Sequence, residues 1–565
     1  MGATDNIMDM FEAEKSGVFA SNAAFMEEMK EVRKYYEFYV GFNTMDKNVD
    51  YGQAWKVPDN MDYTPTREIR NLTKKLINKQ GRFMFGNPPN LLVKPINAGD
   101  VDNAESKRAV IDAVFDKARF WNKTAKAFVD STIGKRTLVV LQANEGEAIG
   151  IRYYTMPEFT YTLDANDSSK LQSVQIAHQD PRTKGSDTAS QLWHHYTYEM
   201  RTQSGEVPTG YNPDEELTCW LEYKLVDGQN NQLFAKPAGG TTSEPEQTET
   251  TIINADGEEQ TVLLEIKESN NTGLSQLPCY VILNEGLTGD TRGTSDVKDL
   301  MLIADNYNRT ISDYRDALKF KMFEQPIIID GDSNSIAAIK IAPNTIIDLK
   351  TDNKLSMLKS GSTQASVATM ASSFSFKESA AWYLENAKKD MYEMMDMPMP
   401  EKVQDAPSAK SIKFLFYDLM ARCENKWLDW EDAVLWIISF LEEAFEKVPN
   451  IQVPGYEDKV AQAAAVIRTR TVNSLNHNYP MPEDEFENKS IAIKEVLANV
   501  RSRKSYMRDF SDVENEDIEW TGLLEEIAQL EEQTAGVMLP VLKNSAAAEG
   551  GTTNEDKQET GAEEN

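Results

Sequence analysis

Apolar residues near the start of the chain recur at three- and four-residue steps. Phe25, Met29, Val32, Tyr36 and Tyr39 form one stripe, the mark of an amphipathic helix. Residues 1–24 carry no such stripe and read as a flexible N-terminus. A second helix is expected after Thr64-Pro65, with Ile69, Leu72, Leu76 and Ile77 on one face. It should end near Gly81, ahead of Gly86-Asn87-Pro88-Pro89. A third is expected over about Asp102 to Val129. The period then switches toward two. Thr137–Leu141, Ile151–Tyr154, Gln172–Ala177, Leu192–Tyr198 and Leu217–Leu225 read as strands of an antiparallel sheet. Residues 228–260, centred on AGGTTSEPEQTETT, read as a solvated hairpin or a mobile insertion in it.

From Thr294 the pattern changes again. Two long helical segments, about 295–322 and 373–397, bracket a strand-rich stretch from Pro326 to Ser360. Within it, Ile327–Gly331, Ala337–Ile341 and Thr345–Leu349 are short β-branched runs between turns. A break from Met397-Pro398-Met399-Pro400 to Pro407 precedes the longest predicted helix, Ser408 to about Lys447. A small helix-and-strand region follows Pro454. An amphipathic helix is expected near 490–507 and an acidic one near 515–533. Residues 541–565 read as a disordered acidic tail. The fold class is α+β.

The segment 295–322 has the most regular pattern. Val297, Ala304, Ile311 and Leu318 recur every seven residues, with Leu300, Tyr307 and Tyr314 between them. That is a seam of coiled-coil spacing. Asp299, Asp305, Arg309, Asp313, Arg315 and Asp316 supply charges of both signs around it. From periodicity alone the pattern reads first as an ordinary core helix with a salt-bridged outer face; its length and narrow seam also suit side-by-side packing with copies of itself.

Charge then narrows the function classes. The 565 residues carry a formal net charge of −32, which excludes binding nucleic acid through a general coat of Lys and Arg. Three distant cysteines, Cys219, Cys279 and Cys423, form no C-x-x-C pair, so neither a disulfide framework nor a thiolate zinc site is expected. The N-terminal sequence has no secretory pattern, and the longest apolar run, Ala433 to Leu441, is far shorter than the about 20 residues that span a bilayer. No membrane partner is expected.

Catalytic chemistry is hard to find. The text around Gly134-Lys135 lacks the first glycine of a phosphate loop. His194 and His195 are neighbours in a strand and point to opposite faces, and His178 and His477 have no partner at ligand spacing. Asp164 to Ser168 begins like a calcium loop but lacks its glycine and closing glutamate. No nucleophile elbow is present. Neither cofactor nor metal is expected, and the chain reads as a non-enzyme; a pair of carboxylates meeting only in space stays open.

Several motifs in order resemble the portal proteins of long-tailed (siphovirus-like) double-stranded DNA bacteriophages. They are Gly289, Gly293-Thr294-Ser295-Asp296-Val297 and Ile303 to Asp313; Leu277 to Glu285 before them; and Pro326 to Gly331 after. Arg67 to Leu72 and Phe85 to Pro89 fit the family's N-terminal helix. Pro407 to Lys413 and Leu419 to Lys426 fit the helix after its tunnel loop. The 228–260 insertion and the long acidic tail have no counterpart in the pattern.

The resemblance implies a wing over 25–293 with a return segment within 409–485, stem helices at 295–322 and 373–397, a clip at 323–372, a tunnel loop at 398–408 and a crown at 486–535. It implies a twelve-subunit ring at one capsid vertex, assembled in the host cytoplasm. The ring would conduct DNA without sequence specificity and dock the terminase large subunit, then the head-completion adaptor protein, beside major capsid and scaffolding proteins. Met399, Glu401, Lys402, Gln404, Asp405 and Lys410 are the candidate channel residues. The seam residues are candidates for stem packing, and Ile327, Ile329, Ile341 and Ile347 for the clip's docking surface. Twelve such chains would total about −384, so an acidic wall would let DNA slide rather than stick. Another ring-forming or scaffold protein of the virion is the alternative.

Overall fold

A computed structural model describes residues 11, 19, 22–41, 65–164, 167, 170–183, 191–207, 216–235, 247–253, 259–265, 269–287, 289–322, 325–329, 366–370, 375–405, 408–456, 459–481, 485–510 and 519–527. The 541–565 tail and the expected strands at 337–341 and 345–349 lie outside them. Residues up to Pro480 form one compact unit, and those from Met481 a second.

The first unit opens with α1, Ala23–Val40, capped by the Asn22 side chain, which accepts from Phe25 N at 3.0 Å. Phe25, Met29, Val32 and Tyr36 are buried. Two points of the preceding stretch are anchored rather than loose: Phe11 packs edge-on against Tyr36 and Phe19 against Phe25. Helix α2 is Leu72–Phe85, not a helix from Pro65 to Gly81. It starts late because the backbone amides of residues 66, 68 and 70 are taken by distant side chains, and Asn71 caps it by accepting from Lys74 N at 2.9 Å. It runs through Gly81 because the glycine permits a close crossing; a Cβ there would lie 2.7 Å from Val129 Cγ2.

The expected single helix over 102–129 is two, α3, Val101–Ala118, and α4, Phe120–Gly134. Arg119 between them is left-handed, with φ 50°. Neither pattern nor propensity announces a non-glycine residue in that conformation.

The strands divide between two sheets rather than one. Strand β2 (Arg136–Gln142) lies between β3 (Gly150–Thr155) and β12 (Cys279–Leu283). The larger sheet runs β11-β7-β6-β5-β4, with β4 at Phe159–Leu163, β5 at Leu171–Gln179, β6 at Leu192–Thr202, β7 at Leu217–Asp227 and β11 at Asn270–Asn271. Strand β8, Gln232–Ala235, adds to β7, and β9 (Gln247–Ile253) within the insertion pairs antiparallel with β10 (Glu259–Glu265), which runs past its end. Strand β1 (Asn90–Pro95), unforeseen like β4, pairs with β15 (Thr471–Asn476) almost four hundred residues away.

Helix α5, Asp296–Met322, and α6, Lys377–Met394, are joined through an antiparallel pair, β13 (Gln325–Ile329) with β14 (Ser366–Met370). Then come α7, Pro400–Gln404, α8, Ala409–Leu415, and α9, Tyr417–Lys447. The expected helix from Ser408 is therefore interrupted at Phe416, which lies outside both helices. Phe85, Phe128 and Trp430 meet edge-on and join α2, α4 and α9 in the core. Helix α10, Val460–Ile467, precedes β15.

The second unit holds α11, Glu485–Leu497, and α12, Arg503–Phe510, where one helix over 490–507 was expected, and helical residues 519–527. Arg501 pairs with Glu495 at 3.4 Å and lies over the Phe510 ring.

Candidate functional site

Helix α5 is about 40 Å long at 1.5 Å per residue. Tyr314 meets Phe376, before the start of α6, while Asp296 at one end of α5 and Asp396 after the end of α6 both meet Arg422. The two helices are therefore antiparallel partners. Val297, Leu300, Ala304, Tyr307 and Ile311 are all buried within the chain, where α5 meets α1, α2, α4 and α6. Tyr314 is half-buried, and Leu318 is 39% exposed. So the inner part of the seam is already covered by this chain, and a contact with a copy would use other faces of these helices.

Three polar residues one helical turn apart form a ladder on α5. Asp316 Oδ2 accepts from Thr66 N at 2.7 Å, Ser312 Oγ from Glu68 N at 2.9 Å, and Asn308 Oδ1 from Arg70 N at 3.0 Å. Four helical residues rise about 6 Å and two extended residues about 6.6 Å, so the two repeats nearly match. Arg315 pairs with Glu68 at 2.9 Å beside the ladder. Polar residues every fourth position were the available signal.

The start of α5 is held by its own signature. Gly293 has φ +70°, and a Cβ there would collide with the Lys135 carbonyl. Ser295 Oγ accepts from Val297 N, and the Asn284 side chain donates to Thr294 O at 2.8 Å and Asp296 Oδ1 at 3.0 Å. Lys426 Nζ reaches Asn284 Oδ1 at 2.7 Å, Asp296 Oδ1 at 2.9 Å and Glu285 Oε1 at 3.1 Å. Burial works to raise the Asp296 carboxyl, but Lys426 and Arg422 outweigh it and hold the group below the usual range. Arg422 lies one turn from Lys426 and approaches Asp296 Oδ2 at 3.5 Å and Asp396 Oδ2 at 3.2 Å. Sequence reasoning placed Glu285, Asp296, Arg422 and Lys426 in the family's motifs but brought none of them together. Lys426 on the same stripe as Leu419, Cys423, Trp427 and Trp430 was the signal, because a lysine on a buried face needs a carboxylate.

The proline-rich segment differs from the expected loop. Helix α6 ends at Met394, short of both prolines, and Pro400 sits in the first turn of α7, where a missing N–H costs nothing. Met399 is half-buried; Glu401, Lys402, Gln404 and Asp405 are exposed, as is Lys410 on α8. Glu401 pairs with Lys388 at 3.2 Å. Ile327 and Ile329 lie in β13 opposite Ala368 and Ser366, while Ile341 and Ile347 are outside the described residues. Met391, Met395 and Met397 are buried and Met394 is exposed.

The remaining chemistry is structural in geometry. His194 meets Tyr223 OH at 2.8 Å and Asp180 at 3.3 Å, whereas His195 on the other face approaches Phe19. All three cysteines are buried, and burial pushes the Cys219 and Cys423 thiols up to about 12. Among the described residues no group of three or more His, Cys, Asp or Glu could hold a metal, and no helix is long and apolar enough to cross a membrane.

Compared with known protein families, residues 19–538 match the family described as phage portal protein, SPP1 Gp6-like. The chain belongs to that family. It is a portal protein, a structural component of the phage capsid, and its mixed helices and antiparallel sheets are those of an α+β portal subunit. No curated protein matches the chain.

Proposed function

We propose that this portal protein assembles as a twelve-subunit ring at one capsid vertex, the passage for DNA during packaging and ejection. The observation that carries the reading is family membership over 19–538. In this reading the stem is α5 with α6, and the clip begins with β13 and β14 at the end of that pair remote from the wing sheets. The clip, including Ile327, Ile329, Ile341 and Ile347, is the docking surface for the terminase large subunit and later for the head-completion adaptor. The segment 398–408 faces the channel and brings Lys402 to passing phosphates. The net charge of −32 supports a passage that repels the duplex, since attraction would slow it.

Native mass spectrometry of the purified chain tests the assembly. Twelve copies of 63.7 kDa give a particle of about 760 kDa with a central hole by electron microscopy. A monomer at all concentrations, with or without capsid proteins, overturns it.

A further inference from the structure

The geometry points to Arg422 as a positioning residue, a latch that ties the root of the 398–408 segment to the buried start of α5, with Asp396 as its releasable half. The contacts around Arg422 are graded in depth. Lys426 and Asp296 are each 1% exposed and lie 2.9 Å apart, so salt and water do not reach this inner pair. The outer contact is different: Asp396 is 41% exposed, 3.2 Å from the guanidinium, and screened by solvent. The same Arg422 nitrogen also donates to Met394 O at 3.2 Å, at the last residue of α6. One side chain thus touches the start of α5, the end of α6 and the turn beyond it.

That turn is where the segment beyond α6 is rooted. Asp396 is left-handed, with φ 54°, a conformation uncommon for a residue other than glycine. Met397 N donates back to Tyr392 O at 2.8 Å, and Met397 and Pro398 are buried, so the turn is fixed before α7 begins. After α7 and α8 the chain enters α9 at Tyr417, little more than one helical turn before Arg422. The excursion from 397 to 416 therefore leaves beside Arg422 and returns close to it. Displacing the chain from Asp396 onward breaks the contact between Arg422 and Asp396, while Asp296 and Lys426 keep α5 fixed to α9. The result is a pin with a latch on one side.

Hydrogen exchange by mass spectrometry on the full chain in its assembled state tests this. Asp396→Asn should raise amide exchange over 396–405 about tenfold and leave 296–322 unchanged. Raising NaCl from about 0.05 to about 1 M should loosen 396–405 in the wild type but add nothing in Asp396→Asn. Both series are run with Glu401→Gln, which removes the exposed contact to Lys388. Arg422→Gln should loosen the same residues, and Arg422→Lys should recover part of the protection. Wild-type exchange over 396–405 in Asp396→Asn, or equal loosening over 296–322, overturns the latch. The consequence for DNA rests on the channel reading of 398–408, and packaging by the same variant separates the two. A loosened segment with normal packaging upholds the latch and overturns the channel reading.

Discussion

The Asp130 carboxyl on α4 is half-buried near Glu158, and burial first, then that neighbour, raises it to about 7. In the unfolded chain it titrates as an ordinary carboxylate. Between the two values the folded protein holds a proton that the unfolded one has released, so this group makes stability fall as pH rises from about 4 to 7. Asp130→Asn should therefore melt higher than wild type at about pH 8, with the gap narrowing toward about pH 4.5. Thermal melts at both pH values check it; a gap independent of pH refutes the assignment. Asp296 works in the opposite sense. Its carboxyl is held low in the fold, so its contribution is present at neutral pH and is lost only as pH falls through that lowered value.

Elements are placed here by contacts that cross long stretches of chain. The ladder on α5 takes the amides of residues 66, 68 and 70, and Ser312→Ala leaves the Glu68 amide without its acceptor. The expected cost is about 1–3 kcal/mol in urea unfolding, with a larger exchange rate at Glu68 than at Arg70. The seam should respond unevenly along its length. Ile311 is buried within the chain, so Ile311→Asp strands a charge there and should cost several kcal/mol whether or not copies assemble. Leu318 is partly exposed, and Leu318→Asp should leave the monomer's unfolding midpoint close to wild type. Equal destabilisation by the two would show that the seam is buried to its end.

At the scale of the whole molecule, a net charge of −32 makes a cation on the proposed passage consequential. Lys402 is exposed on α7, and twelve copies would form a sparse positive ring. Lys402→Glu should leave the assembled mass unchanged and lower the amount of packaged DNA several-fold, more so at low salt. Wild-type packaging at both salt levels would return Lys402 to a solvated charge. In the proposed ring, the repulsion expected from −32 per chain does not depend on that residue.

The α1 stripe, the strands after residue 136, the long heptad helix and the breaks at prolines were legible in the sequence because each rests on a local repeat. A stripe at 3.6 residues or an alternation of two needs no knowledge of what covers it. The family resemblance was legible for the same reason, since its motifs are short and stand in order. What only the tertiary structure decided depends on partners far along the chain. Helix α2 starts at Leu72 because side chains on α5, some 240 residues later, take the amides before it. The strands fall into two sheets because β2 pairs with β12 while β7 pairs with β11. Arg422 and Lys426 were visible as two cations one turn apart, but the carboxylates that give them a role come from three other segments. Periodicity says which face of a helix is buried; it does not say against what.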